Sequence, residues 1–244
     1  MPQGFHEPGD KPRRFYSSVS VAPMNGGFTV MLDGRTLRGP KGAQTVLPSE
    51  PLAELVAEEW AAQGEHLELA AMHATRLANT AIESIPQARD ATAQQIADYA
   101  ASDLLCYRAT DPAGLVARQA QRWDPILARA EAELSLRFIP VSGIIHQAQP
   151  ATTLERVKAL ALRLDDFGLV GLAFGVPLFG SAALGLALQH GWLSGEAAFD
   201  LSRIDEAWQE EKWGVDDEAA ERTMRLRSEA EMLDRWFKCL KPGV

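Results

Sequence analysis

Residues 202–220 read Ser-Arg-Ile-Asp-Glu-Ala-Trp-Gln-Glu-Glu-Lys-Trp-Gly-Val-Asp-Asp-Glu-Ala-Ala, two tryptophans and a run of carboxylates around a single glycine. Leu201, Ile204 and Trp208 are spaced three and four apart, which places them on one helical face. Asp205, Glu206, Gln209 and Glu210 fall mostly on the other side. Gly214 suits the position just past a helix end. Asp216 or Asp217 can cap the next helix, with Glu218 in its first turn, where unpaired backbone N–H groups favour negative charge. Local rules therefore predict a helix–turn–helix corner with a solvated acidic face. They do not account for Trp213, a large aromatic at the turn itself. An aromatic in that place either plugs a core or anchors a partner.

Upstream, residues 167–188 are uncharged and about long enough to span a bilayer, and Gly171 and Gly175 form a GxxxG. Pro177 falls near the middle, however, and the flanks Asp165-Asp166 and Gln189-His190 carry no Lys/Arg bias. The prediction is a buried helix pair broken around Gly175-Val176-Pro177, with no membrane insertion. From Asp90 onward the chain reads as helix after helix. Ile96, Tyr99, Ala100 and Leu104 give one stripe. Asp111-Pro112 and Asp124-Pro125 each read as a cap followed by a first-turn proline. Thr152 and Glu155 read as a capping box, with Leu154, Val157, Leu160 and Leu164 as the buried face. Residues 138–149 are the exception, an extended apolar segment containing Phe138, Val141, Ile144 and Ile145.

The first part is strand-rich. Phe15, Ser17, Val19 and Val21 alternate with their neighbours, and Phe28, Val30 and Leu32 repeat the pattern after Asn25-Gly26-Gly27. Asp33-Gly34 is the strongest hairpin signal, and Gly39-Pro40-Lys41-Gly42 marks a further turn. Ser49 caps a helix with Pro51 in its first turn and Leu52, Leu55, Val56 and Trp60 on its apolar face. A second short helix covers 74–84 and stops near Pro86. The change of period near residue 88 sets the expected domains: residues 1–88, β-rich with two short helices, and 89–244, all-α. The fold class is α+β, a small N-terminal β-rich α/β domain followed by a larger helical one.

With 46% hydrophobic and 23% charged residues over 244 positions, the chain can bury a proper core. A formal net charge of −9 argues against a nucleic-acid partner, which needs a basic footprint. Cys106 and Cys239 are far apart without CxxC spacing, so neither a disulfide framework nor a zinc site is expected. The N-terminus mixes Glu7 and Asp10 with Lys11, Arg13 and Arg14 and has no apolar core. It reads as a short leader on a bacterial cytoplasmic or processed matrix protein, not as a secretory signal.

Catalytic motifs are missing. None of the 5 histidines, His6, His66, His73, His146 and His190, has a partner at metal spacing. The glycines of 168–185 fit neither a phosphate loop, a dinucleotide fingerprint nor a nucleophile elbow. Carboxylates are the one chemical resource in quantity. Asp205 with Gln209, and Glu206 with Glu210, each share a helix face, so a carboxylate enzyme at 205–218 is the alternative reading. Arg76 and Asn79 share a face of the second helix and suggest a buried hydrogen-bonded pair pinning one domain to the other.

The run Asp205-Glu206-x-x-Gln209-x-x-x-Trp213-Gly214-x-Asp216-x-Glu218-Ala219 resembles the signature of the ATP synthase assembly chaperones that hold the free alpha subunit of the catalytic sector, a family often called ATP-twelve. Other blocks match in order: Arg14-Phe15-Tyr16, Leu32-Asp33-Gly34-Arg35-x-Leu37-Arg38, Glu59-Trp60-x-x-Gln63-Gly64-Glu65, Thr75–Ala81, Ser102–Arg108 and Gln121-x-Trp123-Asp124-Pro125. His73 and Gly39 depart from the family's usual Pro and Thr at those positions. The resemblance implies a monomeric, non-enzymatic chaperone without cofactor or metal. It would work in the bacterial cytoplasm, as eukaryotic relatives do in the mitochondrial matrix. Its implied client is the alpha subunit, shielded at the surface meant for beta. The partner-binding residues it implies are Glu206 first, then Asp205, Glu210, Trp213, Asp216 and Glu218. A third reading, a peripheral membrane or stator protein, would use 167–188.

Overall fold

Alternation and turn chemistry build the first elements. Val19–Met24 (β1) and Gly27–Leu32 (β2) pair antiparallel, Val19 opposite Leu32 and Met24 opposite Gly27. The computed structural model describes residues 11–143 and 147–240, so His6, Glu7, Asp10, Ile144, Ile145 and His146 lie outside the described residues. Arg35–Thr36 (β3) returns along β2 across the Asp33-Gly34 turn, where both residues have positive φ (47° and 75°) as a tight hairpin demands. The Asp33 carboxylate accepts the N–H groups of Ser17 and Ser18 and the Ser18 hydroxyl, which hold its carboxyl below the usual range. Val30, Leu32, Leu37 and Leu47 form the buried face, against Glu50–Ala61 (α1). Ser49 caps α1, accepting from Leu52 N at 3.3 Å, and Leu52, Leu55, Val56 and Trp60 are buried as their spacing requires.

The expected alternation breaks at Phe15, which is 72% exposed, while Tyr16 is buried. The β1–β2 ladder begins only at Val19, and residues 12–14 pair instead with the loop after α1, through Arg14 N to Glu65 O and Leu67 N to Pro12 O. Tyr16 then donates its hydroxyl to Trp60 O at 2.7 Å. His73–Glu83 (α2) begins where the Glu59 carboxylate accepts Ala74 N, Thr75 N and the Thr75 hydroxyl. Burial pushes the Glu59 carboxyl up, and those bonds oppose the shift. The expected Arg76–Asn79 pair does not form. Arg76 is exposed and reaches back to Ala70 O, as helical side chains lean toward the N-terminus, while Asn79 Oδ1 is buried without a partner.

Contacts divide the chain between Asn79 and Thr80, inside α2. The second helix stops at Glu83, close to Pro86 as expected, and in the second unit Pro86 then opens the next one: Ile85–Ala100 (α3) carries it in its first turn, where a missing N–H costs nothing. Its buried face is Ile85, Thr92, Ala93, Ile96, Ala97 and Ala100, and Tyr99 points to solvent. Tyr107–Arg108 (β4) and Val141–Ser142 (β5) make a short parallel pair, the only strand structure of this unit among the described residues. Between them Ala113–Leu134 (α4) is one continuous helix, so Asp124-Pro125 is not a start. An interior proline costs about 3 kcal/mol. Burial of Trp123, Leu127, Ala130 and Leu134 and the 2.8 Å bond from Trp123 Nε1 to Leu201 O carry the helix through it. Nor does Asp111 cap α4; Pro112 takes the cap position without a side-chain bond.

Ala151–Arg163 (α5) starts at Pro150 without a side-chain cap, so the Thr152–Glu155 box is absent. Thr153 instead turns inward and donates to Arg137 O at 2.7 Å, which shifts the buried face to Thr153, Val157 and Ala161. Leu154, Leu160 and Leu164 are only half-buried. The apolar run forms two buried helices, Asp166–Phe179 (α6) and Ala182–Gln189 (α7). The break sits at Gly180, whose φ of 62° ends α6, and at Ser181, which caps α7; Pro177 stays inside α6. No helix among the described residues is long and apolar enough to cross a membrane. The GxxxG has a packing use. A Cβ at Gly171 would stand 3.0 Å from Trp236 and Phe237, and one at Gly175 would stand 2.7 Å from Leu233. All three belong to Asp217–Leu240 (α10).

Gly195–Ser202 (α8) meets α10 still more closely: a Cβ on Gly195 would lie 2.1 Å from Ala230 O. Ile204–Trp213 (α9) joins α8 to α10.

Candidate functional site

The α9 helix is fastened to α4 by one of its faces. Trp208 lies over Gly114, where a Cβ would come within 2.6 Å of the indole. Arg118 stacks on the Trp208 ring at 4.7 Å and forks onto Glu211 at 2.6 and 3.0 Å, which draws the Glu211 carboxyl down. Gln119 donates to Asp205 Oδ1 at 2.6 Å while its own oxygen accepts Ala109 N. Asp205 thus faces α4 and is part of the helix's attachment.

The opposite side of α9 forms one wall of a groove of about 790 Å³, with α10 as the other wall and Leu104, Leu178, Phe179 and Phe199 among its apolar lining. Five of the six residues that the sequence singled out line it: Glu206, Glu210, Trp213, Asp216 and Glu218. Their circumstances differ. Glu210 is paired with Arg203. Asp216 caps α10 by accepting Ala219 N at 2.8 Å. Glu206 on α9 and Glu218 on α10 have no partner among the described residues. Trp213 is 79% exposed, so it does not plug a core, and Val215 and, further along, Met224 are exposed as well. Gly214, with φ 83°, lets the chain turn there.

The groove exists because α10 is packed over only part of its length. Its buried residues, Ala230, Leu233, Trp236 and Phe237, all lie in the second half. The first half presents Ala219, Arg222, Thr223 and Leu226 to the groove instead. The sequence placed none of these residues at the site, nor Gln209 or the floor, although Gln209, Ala219 and Leu104 stood in its patterns. A usable signal was present: Met224 and Leu226 interrupt a charged stretch without joining the later apolar stripe.

Four carboxylates line the groove, and the fifth that the sequence offered lies outside it. Asp205 faces α4 and Glu210 is held by Arg203. Asp103, deeply buried, accepts from the Ser181 hydroxyl at 2.7 Å and from Ala183 N and Leu105 N at 3.0 Å, a latch between the residues after α3 and the α6–α7 break. Burial pushes its carboxyl up against those bonds. Burial also pushes the neighbouring Cys106 thiol up to about 12, which leaves it a poor nucleophile. Among the described residues no three His, Cys, Asp or Glu side chains stand together as a metal site.

A small strand-bearing part followed by a mostly helical part is the architecture of solved chaperones. The Paracoccus denitrificans Atp12 crystal structure is 40% identical and matches with a TM-score of 0.86, over 94% of this chain and 99% of that one. The Atu1473 protein of Agrobacterium tumefaciens is 41% identical with a TM-score of 0.88, over 94% of this chain and 87% of that one. The mitochondrial protein atp12 of Schizosaccharomyces pombe is 26% identical over 221 residues, 86% of this chain and 76% of that protein. The family model described as ATP12 chaperone protein matches residues 13–131. The chain belongs to the ATP12 chaperone family.

Proposed function

We propose that this protein is an assembly chaperone of the F1-ATPase that holds the free alpha subunit in the α9–α10 groove and shields the surface later taken by the beta subunit. Membership of the ATP12 family supports the chaperone role. The observation that carries the site is the exposed indole of Trp213 at the rim of a groove with an apolar floor and polar walls, which carry the unpaired Glu206 and Glu218. A subunit interface exposed before assembly drives aggregation. Covering it takes an apolar anchor with an orienting rim, and no bond need be made or broken. An indole offers roughly 150 Å² for burial, about 3–4 kcal/mol before ordering costs. Glu206 and Glu218 add association rate and orientation, and their contribution falls as salt rises. The protein acts as a monomer, in the cytoplasm of a bacterium or the corresponding mitochondrial matrix.

The test is suppression of aggregation of purified alpha subunit, measured by light scattering at low and high salt. Trp213→Ala is expected to abolish most protection at both. Glu206→Lys is expected to weaken it most at low salt. Full protection by both variants with intact fold would move the client site away from this groove.

A further inference from the structure

Three of the blocks that carry the family resemblance are not used by the groove, and they converge elsewhere. From these blocks Phe15 and Tyr16, Leu32 and Asp33, Arg35 to Arg38, and Trp60 surround a hollow of about 710 Å³ in the strand-bearing unit. Core packing accounts for part of the convergence, since Tyr16, Leu32, Leu37 and Trp60 are each at most 7% exposed. It does not account for Phe15, whose ring stands 72% exposed at 5.3 Å from Tyr16, the outermost of an edge-to-face series that continues to Trp60 at 5.6 Å. Nor does it account for Arg35 and Arg38, both exposed at the hollow. Arg35 has no partner among the described residues, and Arg38 reaches only the backbone oxygen of Gly42. The one acid in the lining, Asp33, already accepts from Ser17 and Ser18. Trp60 Nε1 is buried without a hydrogen-bond partner.

We propose that this hollow is a second docking site, for an acidic protein segment in which a carboxylate stands beside an apolar side chain. The carboxylate meets the planar donor forks of Arg35 and Arg38, and the apolar side chain lies on Phe15. Charge complementarity selects the occupant: two presented guanidinium groups stand in a lining whose one acid, Asp33, is already engaged and whose remaining residues, Thr36 apart, are aromatic or aliphatic. A phosphate-bearing ligand fits less well. No helix N-terminus lies among the lining residues, and the one exposed ring has no second ring facing it to sandwich a base. The site is independent of the acidic groove and stands or falls without it.

The experiment titrates the full-length, isotopically labelled chain with acetyl-Glu-Phe-Asp-Leu-amide and, separately, with its neutral counterpart acetyl-Gln-Phe-Asn-Leu-amide, read by amide chemical shifts. The acidic peptide is expected to move the resonances of Phe15, Arg35 and Leu37. The neutral one should bind at least about tenfold more weakly, the loss expected for a charge-assisted pair. Arg35→Ala/Arg38→Ala should weaken the acidic peptide by a similar factor with an unchanged melting temperature, and Phe15→Ala should weaken both peptides. Equal binding of the two peptides, unchanged affinity in the arginine variant, shifts confined to residues 202–226, or tighter binding of AMP at the same residues would each overturn the proposal.

Discussion

Trp60 and Trp213 occupy similar places in their own units. Each lies at or near the C-terminal end of a helix, α1 or α9, with a glycine shortly after it. Each is followed by a helix whose first N–H groups meet a carboxylate, Glu59 for α2 and Asp216 for α10. Yet Trp60 is 7% exposed and Trp213 is 79% exposed. Trp60 is covered by Tyr16, whose ring and hydroxyl both reach it. Nothing comparable covers Trp213, because the first half of α10 stays unpacked. The same local grammar serves a core in one place and a presented surface in the other. What separates them is whether a distant segment returns to cover the ring.

The largest expected effect tests the buried side. Trp60→Arg combines lost packing with an unpaired buried charge and should cost about 4 kcal/mol or more. Urea unfolding or thermal melting should find the variant unfolded or barely folded. A melting curve like the wild type's would erase the contrast. Next come the two capping carboxylates. Glu59→Ala strips partners from two backbone N–H groups and a hydroxyl in a part-buried place, an expected loss of roughly 2–3 kcal/mol. Asp216→Ala removes one exposed cap and should cost about 1 kcal/mol or less. Equal losses in paired denaturation curves would mean that the two corners are equally buried. The smallest effects on stability belong to the presented side. Trp213→Ala and Glu206→Lys should each stay within about 0.5 kcal/mol of wild type while protection of the alpha subunit falls. If Glu206→Lys lowers the melting point substantially, the acid is a structural group and the corner is no longer a surface awaiting a partner.

Much of this was legible in the residues. Ser49 as a cap, the apolar face of α1 and the Asp33-Gly34 hairpin follow from rules that act within a few positions, and the structure has each of them. The errors occur where a distant partner decides. Asp124-Pro125 has the local chemistry of a helix start, but Trp123 bonds to Leu201 O and holds the helix continuous. Asp205 reads like its neighbour Glu206 until Gln119, 86 positions away, takes hold of it. Gly171 and Gly175 form a GxxxG whose partner the sequence does not name, and the Trp236, Phe237 and Leu233 side chains they accommodate lie in α10. The groove was half legible. Its carboxylates and Trp213 fall in one stretch of sequence, whereas Leu104, Leu178 and Phe199 are brought to it by three separate segments.

Gly195 gives that groove a mechanical character. Its missing side chain is what allows α8 and α10 to touch, with Ala230 O where a Cβ would be. From Ala230 back to Ala219 the helix runs about 16 Å. The arrangement is a lever, with its fulcrum at Gly195 and its free arm along the groove wall. A single methyl group at the fulcrum has to lift the helix by about 1 Å to relieve the contact. The arm carries that tilt to Glu218 and Arg222, so the aperture would change while every lining residue stayed the same. Under the proposed function, the width open to a client would then be set from behind the wall, at a position that does not line the groove.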